Sequence, residues 1–410
     1  MKEHTIKIFN GRIITPYRII PYGSILITGN TITAVSEGNI ETEVAEEIDA
    51  QGKYIAPGFI DIHIHGSLGD DFMDGSEEAF LKIAEGNTRF GTTSMTPTTL
   101  TSNQEGLYQT LDLYDSAHQK NNKGAQFLGM HLEGPYFAMN QRGAQDARYI
   151  RDPDPKEYKE VIAYSKNISR WSAAPELKGA LEFGRYLTSK GILAAMAHTD
   201  AIYEEVIKGF ENGYTLATHL YSGMSGVTRR EAYRYAGAVE SAFLIDEMSV
   251  ELIADGKHLP APLLKLAYKI KGADRIALIT DANRGAGMPE GSKIILGNKN
   301  TGLEAIIEDG VAKLLPEKNS FAGSVATTDR LVYNMIHLAE APLIDAVKMM
   351  TATPAVIMGV LAKKGSLAAG KDADIVIFDE QINIETTIVG GKILYNRASA
   401  GREALSPILH

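Results

Sequence analysis

The spacing of apolar and polar positions changes rhythm twice along the chain. Up to residue 55 they alternate in short runs: Ile6-Lys7-Ile8-Phe9, Ser24-Ile25-Leu26-Ile27 and Thr31-Ile32-Thr33-Ala34-Val35. The pairs Asn10-Gly11 and Gly29-Asn30 punctuate them. Alternation with period two, bounded by turn residues, predicts half-buried strands. The same style returns near the end in Asp374-Ile375-Val376-Ile377-Phe378, Thr386-Thr387-Ile388-Val389 and Lys392-Ile393-Leu394-Tyr395, with Gly390-Gly391 as a turn. Neither end carries enough apolar residues for its own core. The expectation is one small β-sandwich built from residues 1–56 and 365–410, with the rest of the chain inserted between.

From Pro57 to about Lys364, apolar runs alternate with amphipathic helical stretches, the pattern of a parallel sheet with crossover helices. Strands are predicted over 59–65, 92–97, 126–133, 170–174, 192–198, 215–219, 249–254 and 276–281. This makes residues 57–364 an α/β unit, a TIM-like (β/α)8 barrel, in which catalytic groups sit at the C-terminal ends of the strands. Residues 290–325 break the rhythm. Ile294-Ile295-Leu296, Glu304-Ala305-Ile306-Ile307 and Ala312-Lys313-Leu314-Leu315 read as an inserted hairpin or three-stranded flap near the barrel mouth.

Charge and cysteine count then narrow the chemistry. A net charge of −10 over 410 residues argues against nucleic acid or an anionic membrane as partner. An anionic small molecule remains compatible, because a local basic pocket can oppose the global charge. With no cysteine, any metal must be held by His, Asp and Glu. No apolar run approaches the ~20 residues of a membrane helix, and the first residues are not a signal core. A cytoplasmic location is expected.

Histidines and carboxylates cluster where the predicted strands end. His63 and His65 are two apart, so on a strand they face the same way and can share a metal. His131 and Glu133 repeat that spacing before Gly134-Pro135. Glu133 can ligate one metal or bridge two, or it can be a capping or salt-bridged acid. His131 reads as orienting a neighbour by hydrogen bonding rather than as a ligand. His198 and His219 each end a further strand. Of ten histidines, these five close predicted barrel strands, where chance would scatter them. Asp281, after Arg275-Ile276-Ala277-Leu278-Ile279-Thr280, is placed to accept a proton from attacking water and return it to a leaving amine; the alternative is a helix cap. There is no Gly-x-Ser-x-Gly elbow. Nitrogen and oxygen donors suit a divalent metal, zinc first and iron, manganese, cobalt or nickel otherwise.

These segments resemble a known family. Pro57-Gly58-Phe59-Ile60-Asp61-Ile62-His63-Ile64-His65-Gly66, His131-Leu132-Glu133-Gly134-Pro135, Ala197-His198-Thr199-Asp200-Ala201, Thr218-His219-Leu220-Tyr221 and Thr280-Asp281-Ala282 are similar to the N-acetylglucosamine-6-phosphate deacetylases of the amidohydrolase superfamily. So is the stretch Gly365-Ser366-Leu367-Ala368-Ala369-Gly370-Lys371-Asp372-Ala373-Asp374. The resemblance implies Glu133, His198 and His219 as principal ligands and Asp281 as acid/base. Since both His63 and His65 are present, it also implies a second ion bridged by Glu133, so one or two ions per subunit. It implies Arg230 and His258 at a substrate phosphate with Ser222 near it, Gln145 at the sugar, Gly223 in the same substrate site, and a homodimer, because the arginine can come from a neighbouring subunit.

Three positions depart from the family pattern. Gln145 stands where a sugar-contacting histidine is usual, and Ser222 stands in place of an asparagine. Arg284, three residues past Asp281, reads as an outward loop charge or as an extra cation at the mouth. The expected reaction is removal of acetyl from N-acetylglucosamine 6-phosphate. The alternatives are a related N-acyl amino sugar phosphate, such as N-acetylgalactosamine 6-phosphate, and a D-aminoacylase-like or cyclic-amide hydrolase.

Overall fold

The computed structural model describes residues 4–399, with Arg230 in its backbone only. Eight apolar runs become strands: Phe59–Ile64, Thr92–Thr99, Met130–Glu133, Ile168–Ala173, Leu193–Met196, Tyr214–Ala217, Ser249–Leu252 and Ile276–Leu278. Each pairs in parallel with its neighbour. Past the eighth strand, Ala282 bridges in parallel to Ile64 and Asp281 N donates to His63 O at 2.9 Å, which closes the barrel. A parallel sheet covered on both faces tolerates no polar side, and Phe59–Ile64 is buried at every position. The predicted run 126–133 divides in two, with Gln126–Phe127 pairing separately beside the second strand.

The crossovers follow local rules. Asn103 accepts from Gly106 N and starts the helix Gln104–Lys120, which buries Thr110, Leu111, Tyr114 and Ala117 at three- and four-residue spacing. Asp154 caps Pro155–Tyr164 by accepting from the amides of Lys156 and Glu157, with proline in the first turn, where its missing N–H costs nothing.

The chain ends meet in one eight-stranded mixed sheet. Thr5–Ile14 pairs on one side with Ile19–Thr28, which continues to Thr31–Glu37. On its other side its first half pairs with Glu46–Asp49 and its second with Tyr54–Pro57. Tyr54–Pro57 then pairs antiparallel with Ile375–Phe378, followed by Ile384–Val389 and Lys392–Asn396. These strands enclose an isoleucine-rich core that includes Ile8, Ile13, Ile25, Ile55, Ile375 and Ile388. Residues 400–410, assigned to this unit from the sequence, lie outside the described residues. Lys364 fastens the sheet to the barrel, donating to Asp374 Oδ2 at 2.5 Å and to Gln126 Oε1 at 2.7 Å.

The insertion forms three antiparallel strands, Lys293–Leu296, Leu303–Glu308 and Val311–Leu314. Its apolar face, with Ile294, Leu296, Ala305 and Ile307, packs on Leu100 and Ala144 from the barrel loops. Arg284 is neither an outward charge nor a cation at the mouth: it is 4% exposed. Its guanidinium donates to Asp74 at 2.8 and 3.1 Å, to Gly69 O at 3.2 Å, and to the carbonyls of Ile295 and Gly297 on the insertion. A guanidinium has five donors and no acceptor. Buried, it needs this many partners, and the insertion's main chain supplies them. Among the described residues no helix is long and apolar enough to cross a membrane.

Candidate active site

Five of the expected residues come from four different loops and strand ends and still converge. His63 lies in the first barrel strand and His65 just after it. Glu133 ends the third, while His198 and His219 follow the fifth and sixth. His198 Nε2 is 3.3 Å and His219 Nε2 3.0 Å from Glu133 Oε1. His65 Nε2 is 3.4 Å from Glu133 Oε2, and His63 Nε2 is 3.6 Å from Oε1. Asp281 joins from the eighth strand, its Oδ1 3.1 Å from His65 Nε2 and 3.5 Å from His63 Nε2. All six are buried. Five of them form two triads, His63/His65/Glu133 and Glu133/His198/His219, that share the one carboxylate.

The backbone bends sharply to do this. His198, His219 and Asp281 have φ of 46°, 34° and 48°, left-handed values that cost a residue bearing Cβ about 1–3 kcal/mol. Neighbouring hydrogen bonds hold them there, among them Leu220 N to Glu251 O at 2.8 Å and Asp281 N to His63 O. Gly223 backs the site from below. A Cβ on it would fall 2.7 Å from His198 Nδ1 and 2.8 Å from Gln141 O, and its own φ is 58°.

Hydrogen-bond logic shows that these donors fit a cation. His198 Nδ1 lies 2.7 Å from Gln141 O, and His219 Nδ1 lies 3.1 Å from Ser222 O. A carbonyl only accepts, so both Nδ1 atoms carry hydrogen. In that tautomer each Nε2 turns its lone pair to Glu133 Oε1, which also only accepts. His63 Nε2 and His65 Nε2 face each other at 3.2 Å in the same space. Lone pairs converge on a common point only around a cation. Without one, the site must bind protons instead. Burial acts to lower His63, but the charges of Asp281 and Glu133 override it and raise it to about 10. Burial pushes Glu133 up, yet the surrounding imidazoles hold it well below the usual range, and Asp281 is lowered in the same way by His63 and His65.

Around this centre, His131 donates or accepts at Ser172 Oγ, 2.6 Å from its Nε2, and its ring packs edge-on against His63 with centroids 4.6 Å apart. Burial, then Arg170 and His63, keep it well below its ordinary pKa, so it is neutral. Gln145 donates to Glu133 Oε2 at 2.7 Å and accepts from Thr101 N at 2.8 Å. His258 is held by Asp255, Nδ1 to Oδ2 at 2.7 Å, with its ring on Phe321 at a centroid distance of 4.8 Å. Glu133, Asp281, Gln145, Ser222, Gly223 and His258 line one cavity of about 260 Å³ with His65, His198 and His219. Leu296 and Phe321 wall its insertion side. Arg230 belongs to a short ribbon, Thr228–Arg230 paired with Tyr233–Tyr235, and its side chain is outside the described residues.

Sequence reading missed a second polar layer. Arg170 and Glu251 are fully buried inside the barrel and ion-paired. Opposite charges at Ile168-Ser169-Arg170-Trp171 and Ser249-Val250-Glu251-Leu252, each within a barrel strand, were the available signal. Such charges are almost never buried unpaired.

Comparison with known proteins agrees with this geometry. Residues 54–394 match the amidohydrolase family. An N-acetylglucosamine-6-phosphate deacetylase of Lysinibacillus sphaericus is 35% identical over 87% of this chain and 89% of its own.

The chain belongs to the N-acetylglucosamine-6-phosphate deacetylase family of amidohydrolases.

Within this deacetylase family, an N-acetylgalactosamine-6-phosphate deacetylase of Escherichia coli O157:H7 is 32% identical over 84% of this chain and 89% of its own. Among solved structures, a variant of the N-acetyl-D-glucosamine-6-phosphate deacetylase from Mycobacterium smegmatis, in complex with N-acetyl-D-glucosamine-6-phosphate, superposes with a TM-score of 0.87. It is 25% identical, and the match covers 97% of this chain and all of that one. Family membership makes the protein a metal-dependent amide hydrolase of the deacetylase type. The two buried triads, which share Glu133, are groups that could hold metal ions in such an enzyme.

Proposed function

We propose that the protein hydrolyses the acetamide of N-acetylglucosamine 6-phosphate to glucosamine 6-phosphate and acetate. The observation that carries this reading is the convergence of four imidazole Nε2 atoms and two carboxylates at the barrel mouth. The relatives' shared activity on N-acetyl amino sugar phosphates supports the substrate class.

His63, His65, Glu133, His198 and His219 would hold one or two divalent ions, zinc foremost. Such ions supply Lewis acidity that polarises the acetyl carbonyl and acidifies a water. The chain's own groups do the rest. Asp281 takes the proton of the attacking water on its carboxylate and delivers it to the nitrogen of the departing amine. Gln145 keeps Glu133 in one orientation. His258, fixed by Asp255, offers its free Nε2 to the phosphate, and Arg230 adds a fork that matches a phosphate's oxygens. Ser222 and Gly223 face the sugar.

Arg230 comes from the partner in a homodimer on this reading, and the exposed Val227 and Tyr233 beside it suit a contact surface. The enzyme is placed in the cytoplasm with its phosphorylated substrate. A second reading, the galactosamine epimer, is favoured by Ser222, which offers a shorter side chain than the family's asparagine. Acetate release from the two epimers and from unphosphorylated N-acetylglucosamine decides among these. Fast turnover of the glucosamine compound alone supports the proposal. Turnover of neither phosphate by metal-loaded enzyme would end it.

A further inference from the structure

The two halves of the metal centre are held in different ways. His198 and His219 each give their Nδ1 hydrogen to a main-chain carbonyl. His63 instead faces a side-chain charge: its Nδ1 is 3.4 Å from Glu251 Oε2. The same oxygen lies 3.3 Å from the backbone nitrogen of His219. Glu251 Oε1 is bound by Arg170, whose guanidinium also donates to Ile62 O at 3.1 Å and Thr218 Oγ1 at 2.8 Å. Both charged side chains are fully buried.

A buried ion pair is a poor way to stabilise a fold, since an apolar pair of the same volume usually does as well or better. What this pair does that an apolar one cannot is accept a hydrogen from His63 Nδ1. That fixes the tautomer with the Nε2 lone pair aimed at Glu133 and Asp281, and it raises the basicity of the ring. His65 has no such support: its Nδ1 is buried without a hydrogen-bond partner among the described residues. The His63/His65 half therefore depends on His63, and His63 depends on Glu251.

We infer that Glu251, kept in place by Arg170, is a positioning residue that sets occupancy of the His63/His65 metal position, while the Glu133/His198/His219 position depends on it less, since main-chain carbonyls orient both of its imidazoles. This rests on the metal-centre reading above. Glu251 lies behind the imidazoles and touches no substrate.

The test is metal stoichiometry. Apoprotein prepared with a chelator is titrated with Zn²⁺, desalted and analysed for ions per subunit by mass spectrometry. Wild type is expected to take up two. Glu251→Gln is expected to keep one near wild-type affinity and bind the other about 10–100-fold more weakly. Because Glu251→Gln leaves Arg170 unpaired and can impair folding, the double variant Arg170→Met/Glu251→Leu is measured alongside. It removes both charges at similar volume and is expected to show the same loss of one ion. Two ions at unchanged affinity in both variants would overturn the inference. So would loss of both ions together, the mark of a merely structural role, or a wild type that binds only one. A wild type that binds none would instead overturn the metal-centre reading itself.

Discussion

Gln145 grips Glu133 from outside the imidazole cluster, its amide nitrogen 2.7 Å from Oε2 and its amide oxygen 2.8 Å from Thr101 N. The backbone donor at Thr101 decides which way the amide points. Both ends of the side chain are thus committed to the protein, and Glu133 is left with Oε1 toward His198 and His219. Gln145→Leu should strand Thr101 N and loosen Glu133, lowering kcat/KM by about 10–100-fold. The ratio of rates on the glucosamine and galactosamine epimers should not move. A changed ratio, read in parallel acetate-release assays, would mean that Gln145 reads the sugar directly.

Asp281 meets the cluster at His63 and His65. Asp281→Asn keeps the shape and removes the proton acceptor. Turnover should fall by about 10²–10⁴-fold, the usual worth of a general base. Metal content should stay at the wild-type value. Near-normal kcat in the metal-replete variant would remove Asp281 from its role.

Gly223 is needed for space and for backbone conformation. Gly223→Ala would drive a methyl against His198 Nδ1 and Gln141 O at a positive φ. The expected result is a stability loss of at least about 1 kcal/mol, together with weaker Zn²⁺ binding. Isothermal titration of apoprotein would show it, and unaltered affinity would refute the crowding argument.

Arg284 pins the insertion to the first barrel loop through Asp74. Arg284→Met leaves a buried carboxylate and three carbonyls short of partners and should cost about 3–5 kcal/mol. Burial tends to raise Asp74, but Arg284 and Lys299 bring it below its ordinary value. A carboxyl lowered in the folded state stabilises fully above its unfolded pKa of about 3.9. That contribution fades as pH falls through the lower folded value. Urea midpoints of the apo forms should therefore differ most at pH 7 and converge below about pH 4. A gap that stays constant with pH would show that the charge pair is not its source.

The barrel was legible because a parallel sheet buried on both faces leaves continuous apolar runs, and because His63, His198, His219 and Asp281 end or follow such runs. The strands of the insertion were legible for a different reason: they are antiparallel and alternate in burial between Lys293 and Glu308. Arg284 was not, since a charge in a loop looks solvated until the inserted strands fold back and bring it the carbonyls of Ile295 and Gly297. The hydrogen bonds of Gln145 were not legible either: nothing local shows that Thr101 and Glu133 meet the two ends of its amide. Arg170 and Glu251 pair across the barrel from its fourth and seventh strands, a relation that no local pattern contains.

The terminal sheet carries a consequence for how the chain is made. Ile55 sits opposite Ile377, and Thr5–Ile14 reaches the last strands only through Tyr54–Pro57. During synthesis the opening strands must wait, with one edge unpaired, until the ribosome has released nearly everything that follows. Pairings so distant along the chain form slowly, and open edges invite association with other chains. The isoleucine core of that sheet is therefore the part of the molecule most exposed to misassembly, and any truncation near residue 375 would leave Tyr54–Pro57 without its antiparallel neighbour.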